Sequence, residues 1–514
     1  MADSIPDWYL KNCQAGFVQV GGLGVGPVPH LRSNMAAHET HSNMAAEHDL
    51  VVPLHYFDNN TMFTSITMHA IMVYDEILDP ERLRATLSQL VERETWQKLG
   101  ARLRKGKHGH DLHVPRKFSS SRPAIAYRHV SLDMLKAEHH AASLIPSSKS
   151  APKERPALVG NPEDWTELCC GADAPKTSAD YVGSDRPVTG LRVVSFKDAT
   201  IVNIHWLHIA ADAMALKAIL DNWVLVLEGR AAEIPSQYGF DEDPLRELGL
   251  HTTEPFDLAG LELSKWGTAA YALRNGYSIA LAKKESRTVC IPALFMEKLR
   301  KTARQELNDQ GRREQFLTDN DIITAWFSRL AFSHLPPEKP VTIMQAMSMR
   351  RALEQDLLPP GRPFVSNCLT FTSVLKTKNE VDMSLGLLAG DIRQGVNKHG
   401  TREQIEAYNG MVRANAWPLG PMPVFFGQSN MHHIGYSNWK KAQVNLVDLS
   451  TACVTKRNSP LYPSFVTQIQ GGIAYPDGFI ITGEDAQGNY WLEGYRPGGL
   501  WSHVEKLLER DIAS

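Results

Sequence analysis

Residues 201–212 read Ile-Val-Asn-Ile-His-Trp-Leu-His-Ile-Ala-Ala-Asp. The β-branched and apolar start of this run predicts a buried strand over Ile201–Ile209. Asp212 stands where a helix N-cap belongs. After it, Leu216, Ile219, Leu220, Trp223 and Leu227 repeat at helical spacing up to Gly229. A strand that passes straight into a helix holds the residues between them on a rigid end, where a side chain can be aimed into a cleft. His208 and Asp212 form an H-x-x-x-D at that junction. Imidazole is the side chain best placed to act as a base near neutral pH. The motif alone is weak, because the chain has 20 histidines. A core histidine beside a capping aspartate explains it as well as a catalytic base does. His205, three residues earlier, falls on the other face of the strand and reads as structural.

Working outward, Leu191–Phe196 and the turn at Lys197-Asp198-Ala199 predict a hairpin partner for this strand. Thr64–Tyr74 predicts another strand, followed by a helix with Asp79 as cap and Pro80 at its first position. In the second half, a strand at Arg287–Ile291 leads through Pro292 into a helix, and a further helix spans Asp319–Phe332. Strands are expected at Val341–Met349, Leu369–Leu375 and Phe479–Gly483. The class is therefore α/β. Residues 105–187 are polar and rich in His, Ser and Pro, and are expected to contain a long surface insertion. Residues 1–50 read as an N-terminal extension. It includes the loop-like glycines Gly21, Gly22, Gly24 and Gly26, which Pro27 and Pro29 separate from any phosphate-binding helix start. His38, His41 and His48 in the same extension lack metal-ligand spacing. The expected divisions are 51–235, a crossover at 236–275, and 276–514.

The chain has 514 residues, with 43% hydrophobic and 22% charged, which is the balance of a globular protein. A net charge of −3 excludes a global basic field for nucleic acid. No apolar run is long enough to span a bilayer. Six cysteines are too few for a disulfide framework. Asp3 and Asp7 precede any basic residue and no signal-like apolar core is present, so a soluble, cytoplasmic protein is expected; a monomer is expected besides.

Further segments fall in the order of a known family. They are Leu99-Gly100-Ala101-Arg102-Leu103, Thr189–Gly229, Thr318-Asp319-Asn320-Asp321, Met347–Leu353 with Arg350, Asn367, and Ser437-Asn438-Trp439, with Asp448 nine positions after Trp439. In these the chain resembles the BAHD acyltransferases, and its length and long insertion look more like the fungal natural-product members than the compact plant ones. Two departures stand out. Ala213 replaces the glycine that usually follows H-x-x-x-D. The family's D-F-G-W-G loop has become Asp448-Leu449-Ser450-Thr451-Ala452, with the aspartate alone retained.

The resemblance implies two chloramphenicol-acetyltransferase-like domains of mixed sheet and helices, with the active-site channel between them. It implies acyl-CoA as co-substrate, no permanently bound cofactor or metal, and a small-molecule alcohol or amine acceptor. His208 would be the general base, with Asp212 turned away to pair with Arg350 and Asp448 architectural. Asn367 and Trp439 would lie along the channel, and the hydroxyls of Ser450 and Thr451 are the available substitutes for the lost indole donor at an oxyanion. No acyl-enzyme is needed, so Cys290, Cys368 and Cys453 need not be nucleophiles. Lys283, Lys284, Lys440 and Lys441, and also Lys456 with Arg457, are candidates for the CoA phosphates. Two rivals stay open: a condensation-type enzyme using a carrier-bound thioester, and a non-catalytic binding member of the family.

Overall fold

The computed structural model describes residues 49–107, 109–276, 282–415, 423–472 and 477–510. The glycine run at 21–26 and the histidines at 38–48 lie outside them. The described residues form three sheets. The smallest is antiparallel, in the order β1 (Asp49–Pro53), β4 (Gly109–Pro115), β3 (Arg102–Gly106). A five-stranded sheet runs β13 (Phe465–Gly472), β2 (Ile66–Tyr74), β8 (Thr200–Leu207), β7 (Thr189–Ser195), β5 (Ala126–Ser131). A seven-stranded sheet runs β11 (Leu369–Thr377), β10 (Pro340–Ser348), β12 (His432–Asn438), β14 (Gly478–Glu484), β15 (Tyr490–Pro497), β9 (Lys284–Ile291), β6 (Ala157–Gly160). Both larger sheets mix parallel and antiparallel pairs.

Each large sheet is covered by helices. The apolar stripe of the helix after Asp212 matches the sequence reading. Leu294, expected on the apolar face of the helix after Pro292, is exposed, and Phe295 and Met296 are buried in its stead. On the five-stranded sheet, helix α1 (Pro80–Val91) buries Leu83, Leu87 and Leu90. Helix α2 (Ala213–Leu227) buries Leu216, Ile219, Leu220 and Trp223 in the same cluster. The Trp223 indole donates to Thr86 Oγ1 at 2.9 Å, which satisfies its one polar atom and ties the two helices together. On the other sheet, α3 (Ala293–Asp309), α4 (Asp319–Ala331) and α5 (Leu385–His399) close over Ile343, Ile434, Phe479 and Leu492.

The sheets do not follow the linear division of the chain. Strand β13, from the C-terminal part, pairs along its whole length with β2. Strand β6, from the N-terminal part, pairs with β9. Each half thus lends a strand to the other's sheet, and residues 49–514 form one compact unit. Residues 105–187 are accordingly more than a surface insertion. They supply β4, β5 and β6 and two short helices that bury Trp165, Cys169 and Tyr181. Trp165 and Cys169 are four residues apart on one helix, but that helix has only eight residues, too few for a periodic pattern to stand out among the polar residues around it.

The exchange buries a carboxyl group. Glu493 on β15 is fully enclosed and accepts hydrogen bonds from Thr467 Oγ1 and, at 3.1 Å, from the Gln468 amide on β13. Burial pushes its pKa up to about 7, from 4.5. The folded protein therefore holds a proton between about pH 4.5 and 7 that the unfolded chain has lost, so stability falls as pH rises through that window and is level above it. Glu493→Gln should lack this slope. Urea unfolding at pH 5 and pH 8 should favour the variant at the higher pH by on the order of 3 kcal/mol relative to wild type. Parallel pH dependences for the two proteins would show that Glu493 is not the group responsible.

Candidate active site

His208 is the first residue past β8, and its main-chain N–H donates to Ile66 O at 3.0 Å, at the start of β2. Its ring lies parallel to Phe63, 4.5 Å between centroids. Nδ1 is sealed from solvent and has no partner of full hydrogen-bond geometry, while the residue as a whole is partly exposed, which leaves Nε2 as the reachable nitrogen. Burial lowers the imidazole pKa from 6.5. Its own main-chain carbonyl, then Asp212, then the Asn367 side chain act in the opposite direction. The ring is therefore neutral at neutral pH and can accept a proton.

Asp212 faces away from this ring. One carboxylate oxygen caps α2, accepting from Met214 N at 3.0 Å and Ala215 N at 2.8 Å. The other accepts from Arg350 Nη1 at 2.8 Å and Cys368 N at 2.9 Å. The Arg350 guanidinium completes the clamp by donating to Phe364 O at 3.0 Å and Ser366 O at 2.8 Å. Burial works against the charge on Arg350, but Asp212 together with the other groups around it more than offsets this and the pKa is raised. The pair thus fastens the turn after β10 to the turn after β8, so the seam between the two halves is closed beside His208. The Cys368 thiol, beside the pair, is pushed up to about 12 by burial and stays protonated.

Asn367 joins the same turn from the other side. Its Nδ2 donates to His208 O at 2.8 Å and to Asp58 Oδ1 at 2.8 Å, and its main-chain N–H donates to the same Asp58 oxygen at 2.8 Å. Asp58 is fully buried, with Lys98 Nζ 3.7 Å from Oδ2 and His55 Nδ1 at 3.8 Å. Lys98 is buried too and donates to Ser366 Oγ and to Val365 O at 3.4 Å. Asp58, Lys98, Ser366 and Phe63 belong to no motif read from the sequence. The available signal was Lys98 itself, a lysine set between Trp96 and Leu99 just ahead of the family-like segment at 99–103.

Trp439 is buried against Trp206, 6.3 Å between centroids, two residues before His208, so the Ser-Asn-Trp turn lies near the end of β8 that leads into His208. The loop that replaces D-F-G-W-G does not. Cys453 bridges to Leu78, Val454 N donates to Ile77 O at 3.0 Å, and Leu78 N donates to Thr200 Oγ1 at 3.0 Å. Thr200 and Leu207 are the two ends of β8, about 23 Å apart at ~3.3 Å per residue. Ser450 and Thr451 are therefore at the far end of the sheet, out of reach of any oxyanion at His208. Asp448 holds this loop, accepting from the Ser450 and Leu461 amides at 2.8 and 2.9 Å. Both partners are main-chain amides. Asp448→Ala should lower stability by about 1–3 kcal/mol through those unsatisfied amides. Ser450→Ala and Thr451→Ala should leave turnover within about twofold of wild type. A tenfold loss at either hydroxyl would contradict this placement.

The candidate phosphate-binding lysines do not converge. Lys440 is already engaged by Asp319 at 3.3 Å, by Glu484 at 2.7 Å and by the Tyr490 hydroxyl. Lys284 pairs in register with Pro497, and Tyr490 with Ile291, so Lys283 and Lys284 stand at the opposite end of β9 and β15 from Lys440. Arg457 is paired with Glu76 beside the far loop. Lys441, next to the Ser-Asn-Trp turn, is exposed and has no ion pair among the described residues. No helix among the described residues is long and apolar enough to cross a membrane.

No protein-family profile matches the chain. It is 32% identical over 484 residues to transcriptional regulator calD of Penicillium decumbens, across 90% of this chain and 96% of that one. It is also 32% identical over 493 residues to acetyltransferase sphE of Aspergillus fumigatus, across 90% of this chain and 95% of that one. Among solved structures, TRI101 of F. sporotrichioides, complexed with coenzyme A and T-2, has a TM-score of 0.63 at 15% identity and covers 90% of this chain and 97% of its own. Identity that low speaks to the fold alone.

Proposed function

Because this chain belongs to the BAHD acyltransferases, with fungal acetyltransferases among its relatives, we propose that it moves a small acyl group, acetyl foremost, from acyl-CoA to a hydroxyl of a terpenoid, alkaloid or polyketide acceptor, with His208 as general base. The observation that carries this reading is the ring of His208. It is neutral, stacked on Phe63, sealed at Nδ1 and reachable at Nε2, on a turn clamped by Asp212 and Arg350. Nε2 takes the proton of the acceptor hydroxyl as its oxygen bonds to the thioester carbonyl carbon. The tetrahedral adduct then collapses, the C–S bond breaks, and the imidazolium returns its proton to the departing sulfur. The products are an ester and free CoA. The buried, protonated Cys368 beside the clamp supports direct transfer without a thiol acyl-enzyme.

Lys441 is our candidate contact for a CoA phosphate, since it is exposed beside the turn that packs on Trp206. A regulatory role, as the name of the calD relative suggests for that protein, would need none of the chemistry assembled at His208. The deciding experiment incubates the purified chain with acetyl-CoA and longer acyl-CoAs against a panel of hydroxylated terpenoids, alkaloids and polyketides, following free thiol and product mass. Thiol release matched by an acylated product supports the proposal. Absence of transfer with every pair, from a folded protein that still binds acyl-CoA, would favour a non-catalytic member.

A further inference from the structure

The crossover between the halves carries an exposed apolar face. Its helix, Lys265–Gly276, is held to the body along one side. Tyr271 stacks on Phe425, 6.3 Å between centroids, and Arg274 Nη1 donates to Ser429 Oγ at 2.5 Å. Just ahead of the helix, Leu263 N donates to Phe425 O at 2.8 Å. The other side faces water. Trp266 is 87% exposed and Leu273, two turns on, is 84% exposed, with Ala269 exposed between them. Positions i, i+3 and i+7 share one face of a helix, so the three form an apolar stripe. None of the twelve residues of this helix is buried, so the core gains little from its apolar side chains. A contiguous exposed apolar set of this kind marks a contact surface.

Charge selects what the stripe contacts. Between Glu262 and Glu285 the sequence has no acidic residue but has Lys265, Arg274, Lys283 and Lys284, in a chain whose net charge is −3. Lys265, Arg274 and Lys283 are exposed. Of the carboxylates around them, Glu262 is folded back on the Gly260 amide at 2.6 Å. Asp477, which acts electrostatically on Tyr271 and Lys284 alike, is buried and bound by Arg496 at 2.9 and 3.0 Å. The partner is therefore anionic. A second copy docked symmetrically through this face would bring the cations of the two copies together. An anionic lipid surface answers both halves of the pattern. Tryptophan favours the boundary between water and acyl chains, and Lys and Arg favour the headgroups.

We propose that the stripe of Trp266, Ala269 and Leu273, with Lys265 and Arg274 beside it, docks this protein reversibly on an anionic bilayer, lying in the interface without spanning it. This inference is independent of the acyl-transfer reading, and its test needs no turnover. Full-length protein is sedimented with vesicles of phosphatidylcholine, either alone or with about 30% phosphatidylserine as the anionic lipid. Binding should be at least ~10-fold tighter to the anionic vesicles, since each cation at such a surface is worth roughly fivefold. Raising the salt to about 0.5 M should remove that difference. Trp266→Ser with Leu273→Ser should weaken binding to anionic vesicles by at least ~10-fold. Lys265→Gln with Arg274→Gln should weaken it by about 10- to 30-fold and leave binding to neutral vesicles as in wild type. All four side chains are exposed, so both variants should keep the wild-type Tm. Wild-type protein that stays in the supernatant with anionic vesicles would overturn the proposal. So would sedimentation that the Trp266→Ser/Leu273→Ser variant retains in full. Self-association of the wild type that this variant loses, without vesicle binding, would assign the face to a second copy instead.

Discussion

Replacing His208 with alanine should lower the rate of acyl transfer by at least ~10²-fold, the usual contribution of a positioned general base. Acyl-CoA binding should survive, because the ring serves proton transfer and the turn beneath it is held by others. Those holds are the Asp212–Arg350 pair at 2.8 Å and the Asn367 bond to the His208 carbonyl, which needs no side chain at 208. The loss should therefore fall in kcat, with KM for acyl-CoA little changed. The pH profile is a second check on the same residue. Burial lowers the imidazole pKa from 6.5, and only the neutral form can accept a proton. The acid limb of kcat/KM should accordingly lie below pH 6.5, with full activity at neutral pH. Steady-state kinetics across pH 4.5–8 would read both effects. Near-normal turnover in the alanine variant removes the proposed mechanism, and an acid limb centred above 7 assigns the proton to another group.

The largest expected effect on stability is at the clamp. Removing either Asp212 or Arg350 leaves the other charge enclosed without its partner, which costs ~3–5 kcal/mol in comparable buried pairs. Asp212→Ala should be the more damaging, since it also removes the α2 cap and the acceptor for Cys368 N. A lost cap alone is worth ~1 kcal/mol. Asp212→Asn keeps an oxygen for the cap while discarding the charge, so it should fall between wild type and alanine. Arg350→Met keeps much of the side-chain volume but frees the carbonyls of Phe364 and Ser366. The double variant Asp212→Ala/Arg350→Met should be less destabilised than the sum of its parts, because the pair energy is lost once and no lone charge remains. Urea unfolding of the four proteins measures this directly. Strict additivity would mean that the two residues are not energetically coupled.

Much of this architecture is local and could be read from the chain. Asp79 caps its helix through the amides of Glu81 and Arg82, and Asp212 does the same two and three residues ahead. Such bonds close within one turn, so the residues that specify them are adjacent in the sequence. The β-branched, apolar runs of β2 and β8 and the apolar stripe of α2 follow from equally short-range preferences. The H-x-x-x-D turn was legible for that reason.

The remainder depended on contacts between residues far apart in the chain. Asp58 and Asn367 meet across 309 positions, and His208 and Asn367 across 159. No periodicity relates residues at such separations. Hydropathy also works against finding them, since a lysine or aspartate in the sequence predicts surface, and Lys98 and Asp58 are buried. The same reason counts against Lys440 among the lysines considered for CoA phosphates, because it reads as a free cation until Asp319 and Glu484 are brought against it. It also misplaced Ser450 and Thr451, whose distance from His208 is set by which end of β8 their loop packs on. The sequence by itself determined the elements and the chemistry offered at the turn after β8. The tertiary structure decided which charges are buried together and which loop stands near His208, because pairing a charge out of water depends on its partner's position in space.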